Sequence, residues 1–185
     1  MGFRECKKIL VVGNCGSGKT TFAVRLAELM GLPLIHLDKE YWQPDWRETP
    51  REQWLEKVKT FAAGDEWIID GNYGSTLKER FLQADAVLFM DISRATCYMN
   101  LVKRRIRYHS EERPDMPENC PEFLRMDELR RTWFYPSAER NRVLSYMMRF
   151  PRKEMHTFYT LKSANQWLDK LEEKIKADKE NSNDV

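Results

Sequence analysis

Residues 13–20 read Gly-Asn-Cys-Gly-Ser-Gly-Lys-Thr, and the spacing Gly-x-x-x-x-Gly-Lys-Thr is that of a phosphate-binding loop. Glycines at 13, 16 and 18 let the backbone turn successive N–H groups inward, which makes a concave nest for an anion. A helix beginning near Lys19 adds about half a unit of positive charge at the same point. Lys19 is then placed to reach the β- and γ-phosphates of a nucleotide, and the Thr20 hydroxyl to ligate Mg²⁺. The candidate nucleotide site is Gly13, Asn14, Cys15, Gly16, Ser17, Gly18, Lys19, Thr20 and Thr21, with ATP and Mg²⁺ as the expected cofactors.

Three carboxylates stand at the ends of apolar runs: Asp38, Asp70 and Asp91. Ligands of open α/β sheets bind beyond the carboxyl ends of the strands, so each is a candidate. Asp70 follows Trp67-Ile68-Ile69 and is expected to hold Mg²⁺ with Thr20. Asp38 is expected to orient an acceptor hydroxyl or take its proton; the alternative is a turn or capping aspartate. Asp91 is read as the N-cap of the helix that follows it. Basic residues flank one long loop. Lys103, Arg104, Arg105 and Arg107 precede it, and Arg130, Arg131, Arg140 and Arg142 follow. An arginine on the transferring group contributes about 10³–10⁵ in rate, and Arg104 is the first choice for that contact. Lys19, Asp38 and Arg104 are thus the catalytic candidates. Tyr41, Trp42, Trp46 and Tyr73 either line an acceptor pocket or pack.

These groups need a scaffold. Branched apolar residues over 7–12 predict a buried strand, and the period changes over 19–30, where Phe22, Leu26 and Leu29 share a helical face. Further strands are expected at 34–37, 67–69, 86–90 and 155–161, and helices at 75–82 and 94–108. Thr49-Pro50-Arg51-Glu52 reads as a capping box that opens another helix. Residues 109–121 carry Pro114, Pro117 and Pro121 and read as a loop. Helical spacing then runs from about 122 to 149, broken at Pro136. Ala164, Trp167, Leu168, Leu171 and Ile175 mark a last helix, with a frayed polar tail from about 177. The alternation predicts a five-stranded parallel sheet with helices on both faces, in a single domain spanning 1–185. Residues 108–140 are read as a lid.

Composition bounds the partners. The chain has 185 residues and a net charge of only +2, so an anion site must come from local clustering. Cys6, Cys15, Cys97 and Cys120 lack zinc-ligand spacing and read as reduced thiols. No apolar run is long enough to span a bilayer, and the first residues do not have a signal-peptide layout, so a cytoplasmic protein is expected.

The phosphate-binding loop, His36-Leu37-Asp38, Asp70-Gly71 and the basic run 103–107 are similar in layout to adenylate kinase and shikimate kinase-like proteins. Tyr41-Trp42-Gln43-Pro44, Trp67-Ile68-Ile69-Asp70-Gly71-Asn72-Tyr73 and Arg113-Pro114-Asp115-Met116 further resemble the bacterial topology modulation proteins, an adenylate kinase-related family. The resemblance spans about residues 7–170. It implies a five-stranded, adenylate-kinase-type P-loop NTPase core and ATP as nucleotide; it supplies no substrate, and the activity expected from the site residues is a kinase acting on a small-molecule or nucleotide acceptor. One departure stands out. Adenylate kinases place an arginine soon after the Asp-Gly, whereas here Asn72, Tyr73 and Gly74 follow and the first arginine is Arg80, which counts against a nucleoside monophosphate acceptor. The alternative is an ATP-responsive regulator acting on DNA topology or a protein partner, with Arg149, Arg152 and Lys153 as a second basic run.

Overall fold

The computed structural model describes residues 2–108, 116–118, 120, 126–135 and 139–183. Five strands form the main sheet: β1 (Lys8–Gly13), β2 (Leu34–His36), β3 (Trp67–Asp70), β4 (Ala86–Met90) and β5 (Glu154–Phe158). Their spatial order is β2-β3-β1-β4-β5, and every pairing is parallel. Successive side chains of a strand point to opposite faces. Ile9 and Val11 therefore join one core, with Phe22, Leu26 and Leu168, while Leu10 and Val12 join another, with Trp54, Val58 and Phe81. Each core side chain of this size contributes about 1.5–3 kcal/mol on burial.

Helices α1 (Lys19–Met30) and α8 (Leu161–Asn183) cover the first face; α3 (Arg51–Ala63) and α4 (Leu77–Gln83) cover the second. Between β2 and α3 lie the short α2 (Leu37–Tyr41) and a two-stranded hairpin pairing Trp42 with Glu48. Helices α5 (Arg94–Arg107), α6 (Met126–Phe134) and α7 (Glu139–Arg149) complete the order. No helix of the described residues is long and apolar enough to cross a membrane.

Register aligns the functional edge. Asp70 pairs with Val11 on one side and His36 on the other, so the end of β3 meets both the phosphate loop and the end of β2.

Four local expectations are corrected. The strand expected to reach residue 37 stops at His36, and Leu37 opens α2, where it is buried against Gly71. Thr49 does not cap α3; its hydroxyl donates to the Tyr41 carbonyl, and Pro50 holds the cap position without a side-chain bond. Asp91 does not cap α5 either, because Ser93 accepts from the Thr96 N–H. The strand expected to reach residue 161 ends at Phe158, and Leu161 opens α8, which runs to Asn183. Of the expected lid, residues 109–115, 119, 121–125 and 136–138 lie outside the described residues.

Candidate active site

The loop between β1 and α1 closes on itself: the Ser17 N–H donates to Asn14 O at 3.2 Å, and the Lys19 ammonium to the same carbonyl at 2.8 Å. Gly16 needs to be glycine on two counts. Its φ is +73°, and a Cβ there would strike the Cys97 carbonyl of α5. Asn100 on α5 donates from Nδ2 to Gly16 O at 2.8 Å, which fixes the loop from outside. At the start of α1, Gly18 sits in the left-handed region and supplies no side-chain cap. The first N–H groups of that helix therefore remain directed at the loop, as an anion site requires.

Thr20 projects the other way. Its hydroxyl donates to Asp70 Oδ2 at 2.9 Å, and His36 Nδ1 lies 3.2 Å from the same oxygen. Because that oxygen is a carboxylate acceptor, the imidazole proton belongs on Nδ1. Asp70 is buried, and its second oxygen, Oδ1, has no hydrogen-bond partner. A buried carboxylate oxygen beside a threonine hydroxyl fits a hard divalent cation, so Thr20 and Asp70 suit Mg²⁺ as the sequence suggests.

Asp38 lies in the first turn of α2, and its Oδ1 accepts from the Tyr73 hydroxyl at 2.8 Å. Burial, reinforced by Asp38, raises the pKa of that phenol, so it stays a donor. Tyr73 adopts φ +25°, unusual for a non-glycine residue. The group that holds it there is Arg80, which is completely buried. Its guanidinium donates to the carbonyls of Gly71 (2.9 Å), Asn72 (2.7 Å), Tyr73 (2.9 Å) and Thr76 (3.3 Å). Sequence reasoning treats Arg80 only as the first arginine after the Asp-Gly. Nothing local marks it as the fastener of the 71–76 turn, since its partners are main-chain atoms.

Around these groups lies a cavity of about 470 Å³, within the roughly 300–1,000 Å³ of small-molecule sites. Asn14, Cys15, Lys19 and Thr20 line it from the loop and the start of α1, Asp38 from α2, Asp70 from the end of β3, and Arg104 and Arg131 from α5 and α6. Thr21 is exposed on α1, outside that wall. All four aromatic candidates line it too: Tyr41, Trp42, Trp46 and Tyr73. They also pack, Tyr41 and Tyr73 at 4.8 Å and Trp42 and Trp46 at 5.3 Å between ring centres.

The arginines divide. Arg104 donates to Glu128 Oε1 at 2.7 Å, tying α5 to α6. Arg140 forks onto both oxygens of Asp91 at 2.7 Å, and that bond pushes its pKa upward. Arg142 pairs with Glu139, and Arg130 is exposed. A further tie reaches α6 from the loop itself, where Asn14 Nδ2 donates to Thr132 O at 2.9 Å. A second hollow of about 390 Å³ shares Asn14 and Tyr135 with the first and extends past Arg94, Arg140 and Tyr159.

No family model matches the chain, and no curated protein does. Solved structures do. A shikimate kinase from Acinetobacter baumannii, in complex with shikimate, matches with a TM-score of 0.60 at 16% identity, over 96% of this chain and 97% of that one. The chain has the P-loop kinase fold. A gluconokinase from Sinorhizobium meliloti 1021 matches with a TM-score of 0.53 at 16% identity, over 95% and 94% of the two chains. A shikimate kinase from Bacteroides thetaiotaomicron reaches 0.51 at 17% identity, over 92% and 99%. In this chain the phosphate loop, Asp70 and residues of α5 and α6 border one cavity.

Proposed function

We propose that the protein transfers the γ-phosphoryl group of ATP to a hydroxyl of a small-molecule or nucleotide acceptor. One observation carries this: Lys19, Thr20, Asp70 and Asp38 line a single hollow beyond the carboxyl ends of the strands. The P-loop kinase fold supports the same reading. The acceptor oxygen bonds to the γ-phosphorus, the bond from that phosphorus to the β–γ bridging oxygen breaks, and ADP leaves. The hydroxyl proton passes to Asp38, whose rotamer Tyr73 fixes through Oδ1. Lys19 offsets the charge spread over the transferred group. Mg²⁺ held by Thr20 and Asp70 supplies charge neutralisation at the phosphates when bound.

Two substitutions separate these roles. Asp70→Asn is expected to shift the Mg²⁺ dependence of binding a nonhydrolysable ATP analogue upward by about tenfold or more. Asp38→Asn is expected to lower kcat by about 10²–10⁴-fold, because a general base is lost while the phosphate loop is untouched. Titration calorimetry and acceptor turnover check them. Wild-type behaviour in both would return the two acids to turn and capping roles.

The lid reading rests on α6, which Asn14 and Arg104 tie to the loop and to α5. Closure over nucleotide is expected to raise hydrogen-exchange protection across 126–134 when the analogue and Mg²⁺ are added. Unchanged protection at saturating analogue makes α6 a fixed wall.

The alternative, action on DNA, finds little footing. Lys153, one of the second basic run, donates to the carbonyls of Leu82 and Ala84.

A further inference from the structure

The acceptor end of the cavity has a consistent chemistry. Asp38 and Glu48 stand in its wall beside Tyr41 and Tyr73. The Tyr73 hydroxyl is committed as a donor to Asp38, while burial and then the neighbouring Glu48 raise the pKa of the Tyr41 phenol. What the wall then offers a ligand is carboxylate oxygen and aromatic face. Asn72, also in the wall, adds a buried Oδ1 without a hydrogen-bond partner. The arginine that follows the Asp-Gly, Arg80, is fully buried and bonded to four main-chain carbonyls, so it presents no fork to an acceptor.

Among the described residues the lining is mixed in sign, with an acidic excess at the acceptor end. Carboxylates at 38, 48, 70, 128 and 139 outnumber the cations at 19, 104 and 131. Lys19 faces the phosphate loop, Arg104 is bonded to Glu128 and Arg142 to Glu139, so the acidic excess rests on Asp38 and Glu48. Bound nucleotide brings further negative charge to the same hollow. Beside Asp38 and Glu48 a carboxylate or phosphate acceptor would meet like charge and oxygens that only accept, although Trp46 Nε1 and Arg131 stand elsewhere in the same wall. A protonated amine meets both requirements, and the indole and phenol faces add cation–π attraction of about 0.5–2 kcal/mol.

We propose that the phosphate acceptor is a hydroxylated amine, of the amino-sugar or amino-alcohol class, and neither a carboxylate nor a phosphate ester. The inference rests on the kinase reading above. The ammonium group lies against Asp38, Glu48 and the aromatic faces, and a hydroxyl of the same molecule is the nucleophile. The reaction keeps its balance: the hydroxyl oxygen gains the γ-phosphoryl group, its proton goes to Asp38, and ADP departs. Arg131 is the one lining cation within electrostatic reach of both Cys15 in the loop and Tyr41 on α2.

The test uses matched frames that differ in ionic group. One set is glucosamine, glucose, glucuronate and glucose 6-phosphate; the other is serinol, glycerate and glycerol 3-phosphate. Binding is measured by calorimetry at millimolar ligand, with the nonhydrolysable ATP analogue and Mg²⁺ already bound, and transfer by product mass with ATP. The expected result is that each amine binds about tenfold or more tightly than its anionic counterpart, a difference of about 1.4 kcal/mol. Glu48→Gln, a change at an exposed side chain, is expected to narrow that ratio. Tighter binding or faster phosphorylation of a carboxylate or phosphate ester overturns the proposal, and so does the absence of amine binding in both frames. Failure of the ATP analogue itself to bind overturns the underlying kinase reading instead, so the two failures are distinct.

Discussion

Lys19→Ala is expected to eliminate most phosphoryl transfer, with kcat falling by about 10²–10³-fold or more, as when a preorganised charge-stabilising donor is removed. The ammonium is held inside the loop by Asn14 O at 2.8 Å and lines the cavity. A unit charge about 4 Å from a phosphate oxygen interacts by roughly 4 kcal/mol at the effective dielectric of a protein surface. That is enough to account for a thousandfold rate change. Alanine suits the first turn of a helix, so the fold should tolerate the change and the thermal midpoint should stay close to wild type. Calorimetry with ATP and Mg²⁺ and single-turnover kinetics are the measurements. Equal affinity together with equal turnover would remove the loop from the chemistry.

Much of the scaffold is legible in the sequence because burial on both faces writes a plain pattern. The run 86–90 is apolar throughout and is β4 with the expected bounds. The loop and α1 follow from glycine spacing and a change of period, and the candidates Lys19, Thr20, Asp38, Asp70 and Arg104 all reach one cavity. What is not legible is the choice of partner by polar side chains. Thr49 has the right neighbours for a capping box, yet the Tyr41 carbonyl, eight residues back, takes its hydroxyl. Asp91 is well placed to cap α5, but Ser93 is a competent cap two residues on, and Arg140 arrives from 49 residues away. Leu37 extends an apolar run, and an apolar run of that length does not distinguish strand from helix. In these cases several competent groups compete, some only two to eight residues away, and the tertiary partner that decides between them is not written in the local pattern.

Arg80 is the extreme instance, and it carries the largest expected effect on stability. Arg80→Met keeps an unbranched side chain of similar length but removes every donor to Gly71, Asn72, Tyr73 and Thr76. An unsatisfied buried polar group costs about 1–3 kcal/mol. Some of these carbonyls will find water, so the expected loss is about 3–5 kcal/mol, as when a buried charged network is broken. Against a typical total of about 5–15 kcal/mol that is a large fraction. At about 2–4 °C per kcal/mol for a chain of this size, the thermal midpoint should fall by roughly 10 °C. Arg80→Lys is the more informative variant. Burial lowers the arginine pKa to about 9, which still leaves a cation at neutral pH, whereas the same burial acts on a lysine from a lower starting value, so the lysine charge is weakened as well. Lysine replaces the planar fork with three donors at a single point, so it cannot reach all four carbonyls at once. Tyr73 would then relax from its positive φ, a conformation of order 1–3 kcal/mol in strain, and loosen its hold on Asp38. The expected signature is a lower kcat with unchanged affinity for ATP, since the phosphate loop lies on another segment. A merely structural role would lower the melting point and spare the ratio of kcat to nucleotide affinity. Wild-type kcat in the folded lysine variant would therefore separate Arg80 from the positioning of Asp38, and leave it as a fastener of the turn alone.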